Sequence, residues 1–265
     1  MPATRGHGAL HPFTRYRLSQ GSRSGMFRKL AILLNCLFCT TFGATTAPTA
    51  ALAETEALTV RQRAIVPIAA LTAIGNIDRL KPALEAGLDA GLTVNEIKEI
   101  LVQMYAYAGF PRSLNGLGAF LGVVDARKAR GITDAAGPEA SPLPTGKSLR
   151  ELGTETQTQL FGPVHGRLFD FAPAADAFLK DHLFGDIFGR GILTHQDREL
   201  ATVAALAAMS GTEGQLAAHC GASLTVGITE AQLRGVAATL QTAVGAAAAK
   251  SMTAGIDQVL AKRKS

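Results

Sequence analysis

The residues best equipped for chemistry lie in the run Glu213-Gly-Gln215-Leu216-Ala-Ala-His219, followed by Gly227-Ile-Thr229-Glu230. Gln215 and His219 are four apart and so share one face of a helix, while Glu213 falls at the helix start, where the backbone dipole favours a carboxylate. Arg198 and Glu199 open the preceding helix and can pack alongside. Histidine changes protonation near neutral pH, so His219 can give or take a proton while Glu213 or Glu199 orients its ring. The plainer reading of the same residues is a histidine hydrogen-bonded between two helices.

The elements that must position these groups come in two copies. Arg61 to Leu71 and Gln196 to Leu206 match in register, placing Arg63 with Arg198 and Ala69, Ala70 and Leu71 with Ala204, Ala205 and Leu206. After a one-residue insertion in the second copy the matches continue as Gly75 with Gly211, Leu80 with Leu216, Leu88 with Leu224, Gly91 with Gly227, Thr93 with Thr229 and Gly109 with Gly245. Apolar residues recur at three- and four-residue steps through 64–74, 80–88 and 97–107 and through the corresponding 200–209, 216–224 and 233–244, the period of helices packed on one side. Thr93-x-x-Glu96 and Thr229-x-x-Gln232 have the spacing of helix-starting capping boxes, and Gly91 and Gly227 sit where the preceding helices need a left-handed residue. Alternating strand patterns are scarce, so the fold class is all-α, a tandem duplication of one helical bundle unit.

Composition and charge narrow the function classes. The chain has 265 residues, 47% of them hydrophobic, enough for a packed core. Its formal charge of +5 is concentrated at one end: residues 1–53 hold Arg5, Arg15, Arg17, Arg23, Arg28 and Lys29 and no acidic residue, leaving 20 basic against 21 acidic residues in the rest. A nearly neutral body gives no argument for nucleic acid. Arg28-Lys29, the apolar run Leu30 to Phe38 and the small-residue region ending at Ala51-Leu-Ala53 have the anatomy of an export signal with cleavage after Ala53, which predicts a periplasmic or secreted protein. The apolar run is shorter than the roughly 20 residues a membrane span takes, so no stable membrane anchor is expected. Cys36-x-x-Cys39 falls inside the segment to be removed, which leaves Cys220 without a disulfide partner. His165, His182, His195 and His219 lack the short paired spacings of zinc ligands, so no metal is expected. The organisation read from these features is an N-terminal extension 1–53, a first repeat 54–130, a Gly-, Pro- and Ser-rich linker 131–158 and a second repeat 159–265.

The 213–219 run with Gly227-Ile-Thr229 and its following acidic residue resembles the carboxymuconolactone decarboxylase family, whose signature is Glu-x-Gln-Leu-x-x-His, a small and apolar stretch, then Gly-hydrophobic-Thr and an acidic residue. Phe161-Gly-Pro-Val-His165-Gly is similar to the Leu-Gly-x-x-His beginning of γ-carboxymuconolactone decarboxylases, and Phe184-Gly185-Asp-Ile-Phe188-Gly189-Arg190 to their Trp-Gly-x-x-Trp-x-Arg segment. The resemblance implies an alkylhydroperoxidase-like helical unit and a cofactor-free decarboxylation of γ-carboxymuconolactone or a related small lactone or carbonyl acid. In that reading His219 protonates, Arg198 gives electrostatic support, Glu213 orients and Gln215 binds substrate, with Glu199 counted among the catalytic candidates. Relatives form rings of subunits, and an internal duplication should halve the chain count, which suggests a homotrimer where single-repeat relatives form hexamers.

The copies depart from the family pattern in opposite ways. The first keeps Tyr105-Ala-Tyr107-Ala-Gly109-Phe-Pro111-Arg112-Ser-Leu-Asn115, similar to the family's Tyr-Ala-Gly-x-Pro-x-x-x-Asn, but has Ile77 and Ala83 where the second has Glu213 and His219. One composite pocket, with Tyr105, Tyr107, Arg112 and Asn115 facing His219 across a pseudo-twofold axis, would reconcile them; otherwise the tyrosines are ordinary amphipathic core residues. Two other functions stand beside the decarboxylase. The peroxidase branch of the superfamily carries Cys-x-x-Cys at the positions held here by Thr212 and Gln215, which disfavours thiol chemistry and leaves only Cys220 for it. A non-enzymatic helical binding module is the third, supported by the close-packing Ala246 to Ala249.

Overall fold

In the computed structural model, residues 57–264 other than 165 are described. The expected export signal, with Cys36 and Cys39, and His165 lie outside the described residues. All regular structure among the described residues is helical. The first repeat contributes α1 (Val60–Ile74), α2 (Ile77–Asp89), α3 (Val94–Gln103), the single turn α4 (Tyr105–Ala108) and α5 (Phe110–Ala129). The second repeats this order as α9 (His195–Ala208), α10 (Glu213–Thr225), α11 (Glu230–Ala243) and α12 (Ala246–Lys264). Between them stand α6 (Leu149–Phe161), the short α7 (Arg167–Phe171) and α8 (Pro173–Ala177), and a π-helix, Phe178–Ile187.

The helix ends follow from local chemistry, and they match between copies. Thr59 and Thr194 cap α1 and α9 through their side-chain oxygens. The capping boxes at Thr93 and Thr229 are both closed, with Glu96 and Gln232 accepting from the threonine backbone N–H groups. Gly91 and Gly227 have φ of 89° and 90°. In that left-handed turn the N–H groups of Leu92 and Ile228 reach back to the carbonyls of Gly87 and Ser223, which satisfies the exposed ends of α2 and α10.

The two units share one hydrophobic core. Helices α1 and α9 pack against each other at its centre, and the runs Ala69–Leu71 and Leu200–Leu206 are buried around the whole helix circumference. A helix apolar on all sides is stable only when covered on all sides. Here each is covered by its own unit and by the other: α1 by α2, α3, α5 and α11, and α9 by α10, α11, α12 and α4. Arg61 at the start of α1 ties the units further, bridging Glu96 and Asp197.

The segment between the repeats is irregular only as far as 148. Ser148 closes a capping box with Glu151 and starts α6, so the last ten residues of the expected linker, 149–158, are helical. Its irregular part runs along the start of α3, where the N–H groups of Val94 and Asn95 donate to the carbonyls of Ala135 and Ala136. Helix α6 and the π-helix form a hairpin with its own small core of Leu160, Leu183, Phe184, Ile187 and Phe188, closed by Ala222 of α10. The hairpin backbones touch: a Cβ on Gly153 would meet the Lys180 carbonyl oxygen, and one on Gly185 the Leu149 carbonyl. Because backbone must shift to admit a methyl group there, Gly153→Ala is expected to lower stability by about 1–3 kcal/mol. Urea denaturation of the variant beside the parent measures this, and an unchanged midpoint would refute the close approach.

Candidate active site

His219 lies on the buried face of α10, on the same side as Leu216, Cys220 and Ser223. Its Nδ1 is 2.8 Å from Glu199 Oε2, and the carboxylate is completely buried. With Glu199 ionised, Nδ1–H is the donor, which fixes the tautomer and leaves Nε2 free. Among the described residues the ring has no other hydrogen bond, and it lines a cavity of about 970 Å³ between the α6/π-helix hairpin and helices α10 and α12. Phe161 of α6 presents its ring edge-on to the imidazole at 5.1 Å, and Tyr107 of α4 does so at 5.7 Å. The walls are mainly apolar, with Gln157, Gln215, Thr225, Gln258, Lys262 and Arg263 as polar groups.

Behind this pair is a buried ion network. Arg198, the neighbour of Glu199 on α9, is wholly inaccessible to solvent. Its guanidinium donates to Glu99 at 2.8 Å and to Gln103 at 2.9 Å, and its Cζ lies 5.3 Å from the centroid of the Phe188 ring. Glu99 takes a second arginine, Arg190, through both carboxylate oxygens. Gln103 closes the network by donating to the Arg198 carbonyl and the Thr202 hydroxyl. Burial pushes the Arg198 guanidinium below its ordinary range while Glu99 holds it up. Its neighbour His195 is pushed down by burial and then by the Arg198 charge, which favours the neutral ring.

The sequence-derived candidates divide accordingly. Glu199, not Glu213, is the carboxylate at His219; Glu213 is exposed at the first position of α10 and, among the described residues, accepts from the Gly211 N–H. Arg198 does not line the cavity, because its side chain runs toward Glu99 and Gln103 of the first repeat. Gln215 does line it. Of the four first-repeat residues expected to face His219, Tyr107 alone reaches the ring. Its buried hydroxyl lies beside Thr202 without a well-formed hydrogen bond. Burial and then the Glu199 charge push that hydroxyl's pKa up. Tyr105 stacks on Phe110 at 4.2 Å and lies against His182. Arg112 donates to the Ala73 carbonyl at the end of α1, and Asn115 lines a separate surface groove between α2 and α5. That groove lies on the helices of the first repeat that correspond to α10 and α12; in the sequence Ala64 and Ala83 stand where the second repeat has Glu199 and His219, and among the described residues no hairpin packs over it.

Glu99 and Gln103 were not singled out from sequence, and Phe161 and Arg190 entered only as parts of the motifs similar to the family's, with no role in the site. Glu99 and Gln103 carried a usable signal: polar residues four apart among Ile97, Ile100, Leu101 and Met104, where an apolar stripe was expected. Cys220 is fully buried against Gly255 and Leu216, and burial, then the Glu199 charge, pushes its thiol up to about 12. A thiol so held is a poor source of thiolate. No cluster of metal-ligating side chains occurs among the described residues.

The sequence model of the carboxymuconolactone decarboxylase family matches the chain twice, over residues 40–121 and 173–257. A comparison with curated proteins finds no match. The second matched segment contains Glu199 and His219, and the first contains Glu99, Gln103 and Tyr107.

Removing Glu99 strands the buried Arg198 charge, so Glu99→Ala is expected to cost about 3–5 kcal/mol. Arg190→Ala, at the half-exposed end of the network, should cost clearly less; equal losses in chemical denaturation would contradict this ordering. Alkylation at pH 8 followed by peptide mapping should leave Cys220 unmodified in the native protein and modify it in urea.

Proposed function

The chain belongs to the carboxymuconolactone decarboxylase family, and from that premise we propose that it is a cofactor-free decarboxylase of a small lactone or carbonyl acid, with His219 as the proton donor. The observation that carries this reading is the 2.8 Å pair of His219 and buried Glu199 at the wall of a largely apolar cavity. Loss of CO₂ leaves the electron pair of the broken C–C bond delocalised into the substrate carbonyl system, and a proton must be delivered to quench it. Protonated His219 gives that proton from Nε2. Glu199 keeps Nδ1–H in place and stabilises the imidazolium that forms when solvent restores the proton, the part a buried carboxylate plays behind a catalytic histidine.

The remaining groups bind and exclude water. Phe161, Leu160 and Phe184 keep the reacting carboxylate in apolar surroundings, while Gln215 and Arg263 offer hydrogen bonds to the substrate's polar groups. Arg198 acts at one remove, as a positioning residue: its pairing with Glu99 and Gln103 sets α9 and hence the aim of Glu199. Thiol peroxidase chemistry gains nothing from the buried Cys220.

The reading extends to the assembly. Phe110, Leu114 and Leu121 are exposed on α5 at spacings of four and seven, an apolar stripe suited to burial against a second copy in a trimer. The basic and apolar residues 28–38 with Ala53 support export before action. Light scattering on the purified protein reads the assembly, and a stable monomer would rule the trimer out.

The deciding experiment is turnover of γ-carboxymuconolactone by the purified protein without added thiol or metal. His219→Ala is expected to lower kcat by about 10²–10⁴-fold, the usual contribution of a general acid. Glu199→Gln should lower kcat with little change in KM. Absence of turnover by the parent protein, or full turnover by His219→Ala, would overturn the proposal.

A further inference from the structure

The duplication places a second arginine where Arg198 has its counterpart, and its surroundings differ in an informative way. Arg63 of α1 matches Arg198 of α9. Around Arg198 the other repeat's third helix supplies Glu99 and Gln103, and the turn after it supplies Tyr107. The corresponding positions facing Arg63 are Gly235, Thr239 and Ala243 of α11. The carboxylate, the carboxamide and the aromatic ring that fill and neutralise one site are thus absent from the other. What stands in their place is an open surface cleft of about 640 Å³, lined by Arg63, which unlike Arg198 is exposed, and by Leu58, Gly235, Thr239 and Ala243 among others.

Arg63 enters no ion pair among the described residues, and its hydrogen bond there goes to the Leu58 carbonyl at 3.3 Å. Four further donor positions of its guanidinium remain open to a ligand. The walls are otherwise small and apolar, and Thr239, whose hydroxyl donates to the Gly235 carbonyl, keeps its lone pairs as acceptors. A cavity of this size, with one cation on a mainly apolar wall, suits a compact organic anion.

We infer that the cleft between α1 and α11 is a binding site for a small carboxylate with an apolar body, whose carboxylate takes the place at Arg63 that Glu99 holds at Arg198. The site is separate from the His219 cavity and does not depend on the reaction proposed there. It lies between the two repeats, against the central helix α1.

Benzoate is the probe, with benzyl alcohol as its uncharged counterpart, and backbone amide shifts in the full-length protein are the readout. Benzoate should shift the amides of 231–243 saturably, and benzyl alcohol should bind about tenfold or more weakly, the difference expected from one charge-assisted contact. Arg63→Gln should weaken benzoate to the same degree. Gly235→Glu is the sharper variant, because it rebuilds the missing carboxylate where an added Cβ meets only the flexible Leu58 side chain at 3.3 Å. It should raise the melting temperature while abolishing benzoate binding. His219→Ala should leave these shifts unchanged, which separates this site from the proposed catalytic one. No saturable shift at 231–243, or benzoate affinity retained by Arg63→Gln or by Gly235→Glu, would overturn the inference.

Discussion

The buried guanidinium of Arg198 is the constraint on which the rest of the structure turns. A charge with no solvent access must be met by the protein, and it is met from the other repeat, by Glu99 and Gln103 of α3. That requirement fixes the rotation of α9 about its axis and its height against α3. The next residue, Glu199, is thereby aimed at α10, where it finds His219. The placing of the His219–Glu199 pair in the second repeat therefore rests on first-repeat side chains, although the first repeat has Ala64 and Ala83 at the equivalent positions. Replacing the network by apolar residues of equal volume need not weaken the fold, but it would remove what sets this register.

Duplication explains how one copy can specialise. With α1 and α9 buried in a shared core, stability is held in common, and the buried His219–Glu199 pair occurs in the second repeat only. The groove between α2 and α5 lies on the corresponding helices of the first repeat, whose sequence has Ala64 and Ala83 at the positions of Glu199 and His219. Among the described residues the hairpin of α6 and the π-helix covers the His219 side, where Phe161 lies against the imidazole, and no such hairpin packs on the corresponding face of the first repeat.

The tight approach of Gly153 and Gly185 to opposing carbonyls shows how that wall is held. Without side chains at these positions α6 and the π-helix meet backbone to backbone, which brings Leu160, Phe161, Phe184 and Phe188 into one layer. The extended π-helix has no evident cause in its own sequence beyond this contact.

The sequence by itself determined the elements and the duplication: the 3.6-residue apolar period, the threonine capping boxes and the left-handed Gly91 and Gly227 are local features, set by contacts within a few residues. It also singled out His219, because a histidine in a small-residue helix has no local purpose. Which carboxylate serves it could not be read, since Glu213 and Glu199 are both near in sequence and only packing decides that α9 turns Glu199 inward while Glu213 stays at an exposed helix start. The same holds for Arg198, whose partners lie about a hundred residues away, and for Tyr107, which alone of four expected residues reaches the ring. The first ten residues of α6 were hidden at the end of a segment whose glycine and proline content reads as linker, and the hairpin they form with the π-helix depends on Ser148 and on glycines whose value appears only when two backbones meet. Pairings between distant residues are a property of the packed interior, and the tertiary structure decided them.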